Sequence, residues 1–371
     1  MNSFKVFAIF SFCIVSSLFI VNEKSLSKMR SKTQEMPFSI ENILPLNYVK
    51  DGSYDYTDYV QQALNKYNNI TFPGFPILIN DKGLYLKSNS KITFMPGSKL
   101  ILKPTSKSNY SIIQMRNVSD VTLVNPVIIG DRALHQGTEG EWGMGISIYS
   151  SSNITITGAN VSNCWGDGIY ISRVKNSSSS IMVHISNSSL SFNRRDGISI
   201  ISVDGLLLDS IYSANCNGTL PMSGINFEPE SYKDDLLNIE VRNVKTENNP
   251  GNGIQIGLKK IYGGSDKKMN IKIINHTDNG SNIGFKVSAS ISRRVNNESV
   301  NGTIIIQNPD WRNNAQSPLQ ASIYDNQIKL KIISPTIQTS TGKILTESQK
   351  KNLLLSKICV NPEANYNLSF K

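Results

Sequence analysis

Apolar and polar residues alternate in short bursts along most of this chain, and the bursts return at a nearly constant distance. Ile146 and Ile148 are followed by Ile169 and Ile171, Ile198 and Ile200, Ile225 and Phe227, Ile254 and Ile256, and Phe285 and Val287. A glycine precedes each pair, at Gly145, Gly168, Gly197, Gly224, Gly253 and Gly284, with steps of 23–31 residues. Alternation with period two marks a strand with one buried face. Self-similarity at this spacing marks stacked units, none able to bury its apolar face alone. Helical repeats would show long stretches of 3.6-residue period and leucine-rich repeats a Leu/Asn consensus, and the sequence has neither. Further β-branched runs, such as Ile154-Thr155-Ile156-Thr157, fill each unit, so three short strands and their turns make one coil. The predicted fold is all-β, a parallel β-helix whose coils stack at about 4.8 Å.

Alternation also assigns the faces. The paired apolar residues point inward, and Ser147, Tyr170, Ser199, Asn226, Gln255 and Lys286 point outward between them. Two outward columns flank that row. One runs through Met144, Asp167, Asp196, Ser223 and Asn252, the other through Tyr149, Ser172, Ile201, Glu228 and Gly257.

The ends read differently. Residues 1–21 carry Lys5 and an apolar run from Val6 to Val21, the length of a signal-peptide core, so export is expected. The protein meets a membrane only if that segment stays as an anchor. Residues 22–50 read as a linker and 51–371 as one β-helix domain. Within that domain, Thr57 to Tyr67 is a helical pattern with Val60, Ala63, Leu64 and Tyr67 on one face and Thr57 as N-cap. That helix is expected to cover the open apolar end of the solenoid, and residues 335–371, with a short helix over Glu347–Leu355, the other end.

Formal charge is +10, from 38 basic and 28 acidic residues. The basic residues are dispersed instead of clustered with aromatics, which argues against nucleic acid and for an anionic polysaccharide as partner. Beyond residue 21 the cysteines are Cys164, Cys216 and Cys359, neither a disulfide framework nor a zinc pattern.

Candidate chemistry gathers on the outward columns. Asp167 and Asp196 hold equivalent places on adjacent coils, where stacked like charges are destabilising. One is protonated, a cation bridges them, or Arg194 and Arg195 neutralise them; alternatively each carboxylate caps backbone amides at a coil corner. Glu228 lies one coil further, beside Asn226, a residue suited to a sugar hydroxyl. The segment Gly130–Gly143 adds Arg132, His135, Glu141 and Trp142, with Trp142 and Tyr170 offering rings for a pyranose.

At these residues the chain resembles the pectin-lyase-like superfamily of right-handed parallel β-helices, over roughly residues 45–330. Asn163-Cys164-Trp165-Gly166-Asp167-Gly168, followed by Arg194-Arg195-Asp196-Gly197, is similar to two catalytic coils of polygalacturonases. By position Asp167 matches the acid of that family's first motif and Asp196 the second acid of its Asp-Asp pair. Arg195 stands where the first acid of that pair would be, Met222-Ser223-Gly224 replaces Gly-His-Gly, and no Arg-Ile-Lys triplet follows. Gly224 to Glu230 resembles the Asp-Pro-His-Glu site of alginate C5-epimerases, with Glu228 and Glu230 in place of the Asp and the His.

Three functions fit. In a glycosidase Asp167, Asp196 or Glu228 divide the roles of proton donor and base, with His135 or Glu141 assisting. In a lyase or C5-epimerase Arg132, Arg194 or Arg195 clamps a uronate carboxylate, His135 or Tyr170 moves the proton, and Asp167 with Asp196 holds Ca²⁺. In a glycan-binding surface protein the same groove binds without chemistry.

Overall fold

Each inward isoleucine that stacks on the isoleucine of the next coil buries its side chain twice over, against its own coil and its neighbour, and contributes roughly 1.5–3 kcal/mol. The computed structural model, which describes residues 36–262, 267–289, 300–323, 327–360 and 366–369, carries this out along the chain. Every coil contributes to three parallel stacks, two of which the long strands Ser180–Ser191 and Val203–Ala214 join by running through both. The third stack is a ten-stranded sheet holding the glycine strands. Its register is the one the repeats predict, with Ile146 beside Ile169, Ile169 beside Ile198, Ile198 beside Ile225 and Ile225 beside Ile254. The fold is a right-handed parallel β-solenoid of about nine turns.

The recurring glycine has a steric cause. A Cβ on Gly197 would lie 1.9 Å from the Ser213 hydroxyl and 2.5 Å from the carbonyl oxygen of Gly224, the glycine of the next coil. At the corner before the strands led by Gly168, Gly197, Gly224 and Gly253 the chain takes the left-handed conformation, at Asn163, Phe192, Asn215 and Asn248 with φ between 51° and 58°.

The ends depart from expectation. The solenoid begins within the segment read as linker, since Phe38–Ser39 pairs with Ile70–Thr71 and Ile40 is fully buried. The expected helix forms as α1, Thr57–Lys66, with Val60, Ala63 and Leu64 buried, yet it does not precede the solenoid. It stands next to Leu84–Tyr85, the first strand of the third sheet, where Gln61 accepts from the Tyr85 N–H at 2.8 Å and donates to its carbonyl at 3.0 Å. Thr57 is not its cap; the Asp55 carboxylate accepts from the Thr57 N–H at 3.0 Å instead. At the other end, α2 (Glu347–Ser356) opens with a capping box between Thr346 and Gln349. The stretch 335–371 is more than a cover, because Ile358–Val360 and Tyr366–Ser369 both continue the stacks. Residues 1–21 and the linker as far as residue 35 lie outside the described residues. No helix among the described residues is long and apolar enough to cross a membrane.

One polar knot interrupts the apolar interior. Trp311 Nε1 donates to His276 Nδ1 at 3.3 Å, which leaves the proton of a neutral ring on Nε2, facing Thr246 Oγ1 at 2.8 Å. Thr246 and Ser281 both donate to Asp278 Oδ2 at 2.6 Å. Burial pushes His276 down to about 3 and Asp278 up to about 6, the latter against the hydrogen bonds from Ser281, Thr246 and Asn314.

Candidate active site

The outward columns bring four acids to one arginine. Arg195 follows the αL corner and the turn that opens the strand Ile198–Ile200, so its side chain leaves the third sheet on the outer face. Its Nη1 lies 3.1 Å from Asp167 Oδ2 and 3.3 Å from Asp196 Oδ2. Its Nη2 lies 2.7 Å from Glu228 Oε2 and its Nε 3.5 Å from Glu141 Oε2.

Both aspartates are fully buried. Asp167 Oδ1 accepts the Asp196 N–H at 3.0 Å and Asp196 Oδ1 accepts the Ser223 N–H at 2.7 Å, so each carboxylate caps the amide of the coil above while its other oxygen meets Arg195. Two of the readings set out for this pair therefore hold together: amide capping, and neutralisation by arginine. Protonation joins them. Burial first and the charge of Asp167 second push Asp196 up to about 8 against the pull of Arg195, while burial also raises Asp167. The bridging Ca²⁺ is corrected, since the guanidinium occupies the space between the two carboxylates that such an ion would need. Among the described residues no three His, Cys, Asp or Glu side chains form a metal cluster.

The carboxylates that reach solvent are Glu228 and Glu141, with side chains 32% and 33% exposed. Glu228 follows the strand Ile225–Phe227 and also accepts from Asn226 Nδ2 at 3.1 Å. Asn226 is itself buried, donating to Asp196 Oδ2 at 3.0 Å, so it positions acids instead of meeting a sugar directly. Glu141 ends the inserted loop, which settles close to the sheet because residue 166 is glycine: a Cβ there would stand 2.3 Å from the Glu141 carbonyl oxygen.

The rest of that loop is locked. His135 is turned inward with its side chain wholly buried, Nδ1 at 2.8 Å from Asp131 and its ring stacked on Trp165 at 3.8 Å. A catalytic part for His135 is corrected on that ground. Arg132 binds the carbonyl of Phe192 at 2.6 Å and the Asn217 side chain, and Arg194 binds the Gly140 carbonyl at 2.6 Å over the face of Trp165. With Arg195 held by acids, none of the three arginines is free to clamp a sugar carboxylate. Tyr170 is buried, leans on Tyr149 and reaches Glu230 at 3.3 Å; burial and the Glu230 charge hold its hydroxyl well above the usual range, so it is no base. Trp142 stays 46% exposed beside Glu141.

Cys164 and Cys216 are free and buried, and burial pushes the Cys216 thiol up to about 12. Sequence reasoning missed Ser199, whose hydroxyl donates to Asp196 at 3.1 Å, and the part of Arg195 as the hub. The signal was present: an arginine next to one of two stacked acids.

No protein-family model matches the chain. It is 26% identical over 239 residues to the uncharacterized protein YclG of Bacillus subtilis and 23% identical over 225 residues to the prophage-derived protein YorA of the same organism. The matched regions cover 55% and 56% of this chain but only 41% and 36% of those two proteins. Among solved structures, the A-module of mannuronan C-5 epimerase AlgE4 from Azotobacter vinelandii superposes with a TM-score of 0.55 at 14% identity, over 90% of this chain and 96% of that one. The tailspike protein of the E. coli bacteriophage HK620, solved with a pentasaccharide, gives 0.61 at 10% identity, over 85% and 61%. The polygalacturonase of Erwinia carotovora gives 0.51 at 12% identity, over 87% and 95%. At such identities the likeness is one of fold, a right-handed parallel β-helix.

Proposed function

We propose that this protein is an exported carbohydrate-active enzyme that hydrolyses a polysaccharide at Glu228 and Glu141. The observation that carries the reading is that two exposed carboxylates share one guanidinium above two buried ones. Each lies within 3.5 Å of the same guanidinium, which holds the two as a pair, and a pair of carboxyl groups is what glycosidases use. Glu228, fixed by both Arg195 and Asn226, acts as the base or nucleophile. Glu141, on the loop with one looser contact, gives its proton to the leaving oxygen. Asp167 and Asp196 position Arg195 and do not touch the substrate, and Trp142 supports a sugar ring.

Support of a coarser kind comes from the solved structures, which include a polygalacturonase, a C-5 epimerase and a tailspike bound to an oligosaccharide. The eliminative alternative needs an arginine free to hold a uronate, and Arg132, Arg194 and Arg195 are already engaged.

The test is incubation with a panel of glycans. New reducing ends without the ultraviolet absorbance of an unsaturated uronide are expected. Glu228→Gln and Glu141→Gln should each lower turnover by roughly 10²–10⁴-fold, with thermal midpoints unchanged. Undiminished turnover in both variants rejects the scheme, and binding without turnover in the unmodified protein supports the glycan-binding reading instead.

A further inference from the structure

The outer face of the third sheet does not end at the acids. Asn226 Oδ1 accepts from Gln255 Nε2 at 3.2 Å, and Gln255 Oε1 accepts from Asn252 Nδ2 at 2.8 Å. From there a cavity of about 470 Å³ continues along the same face, lined by Asn252, Gln255, Asn282, Lys286, Gln316 and Gln320, with Leu220 and Pro221 as an apolar wall. Gln255, Lys286 and Gln320 stand side by side on successive coils. Asn282 donates to Gln316 at 3.2 Å, whereas Lys286 and Gln320 have no side-chain partner among the described residues. An amide-lined trough with one apolar wall suits the hydroxyls and the C–H face of a sugar, and an unpaired ammonium suits an anionic group.

The two ends of this face differ in charge. Around Arg195 four acids meet one arginine, and the proton on Asp196 reduces the negative excess without cancelling it. A uronate placed there meets repulsion. Lys286 stands two coils from Asn226, about 10 Å along the stack, close to one Debye length at physiological salt.

Resting on the hydrolytic reading of the acid cluster, we propose that the substrate is a heteropolysaccharide in which a neutral sugar occupies the acids and an anionic sugar, carboxylated or sulfated, lies about two units away on Lys286. A polymer charged on every residue is disfavoured. Lys286 is a specificity-determining residue and takes no part in bond cleavage.

The experiment uses the Glu228→Gln protein, whose slowed turnover preserves its ligand, on an array of oligosaccharides of known charge spacing. Binding is expected to oligomers that carry an anionic sugar two units from a neutral one, over homouronates and over fully neutral chains. Lys286→Gln should weaken those hits by roughly tenfold, as for a lost hydrogen bond to a charged group, and leave binding of neutral oligomers unchanged. Lys286→Arg should restore them, which separates charge from folding. Sulfated hits without carboxylated ones, or the reverse, identify the anionic group. Homouronates dominating the hits, or indifference to Lys286→Gln, overturn the inference while the hydrolytic reading stands on its own turnover test. Absence of binding to any oligomer takes down both.

Discussion

Two of the buried carboxylate networks in this solenoid solve the same problem in opposite ways. Around Asp278 every partner is neutral, two hydroxyls and an amide, and the histidine behind Thr246 is held uncharged by burial. Around Asp167 and Asp196 the partner is a guanidinium, and that guanidinium also reaches two acids that touch solvent. A knot with only neutral partners closes on itself and can only hold coils together. A charged one must be balanced across its whole extent, so it couples the interior to the surface. The second arrangement can carry chemistry; the first has no route to a ligand.

The largest expected effect tests that coupling. Arg195→Met removes the guanidinium that meets both buried acids and should cost about 3–5 kcal/mol in urea unfolding, because uncompensated buried charge is left behind. Turnover should vanish with it. A loss under about 1 kcal/mol, small enough for a surface position, would mean that the acids do not depend on the arginine, and the contrast would fail.

Next comes the neutral knot under acid. Asp278, raised from 3.8 to about 6, lends stability that is full below pH 3.8 and lost as pH rises through 6. His276, lowered from 6.5 to about 3, lends stability that is full above pH 6.5 and lost as pH falls towards 3. Between pH 4 and 6 the two slopes oppose each other. Asp278→Asn leaves the histidine slope alone, so that variant should lose about 1.4 kcal/mol per pH unit below pH 6, where the unmodified protein holds level. Parallel curves for the two proteins would show that His276 is not held neutral.

The last test concerns the charged network between pH 3.8 and 8. Asp196, raised from 3.8 to about 8, contributes stability present below pH 3.8 and withdrawn as pH climbs through 8. Asp196→Asn mimics the protonated acid and should flatten that decline, with little change in stability at neutral pH. A decline as steep as before would place the proton elsewhere.

Much of this architecture was legible because strand periodicity is a local property. The inward ladder from Ile146 to Val287, the outward columns and the register between coils all follow from counting by two and by the glycine step. The site was legible in its members but not in their division of labour. Which acids are buried depends on how loops fold over the sheet: Gly166 lets the Glu141 segment down, and Trp165 draws His135 inward. Those are contacts between distant residues, and no spacing encodes them. The start of the solenoid was missed because Phe38–Ser39 is too short to show any period, and the cap of α1 because Asp55 acts from two residues ahead of Thr57.

Gln61 carries a consequence beyond its own coil. A parallel sheet of stacked strands has an unpaired first strand, and such a strand is a template for another chain. By answering both backbone groups of Tyr85 with one side-chain amide, Gln61 stands in for the missing strand in a shape that nothing can extend. One glutamine thereby takes up the backbone groups that Tyr85 would offer to another strand.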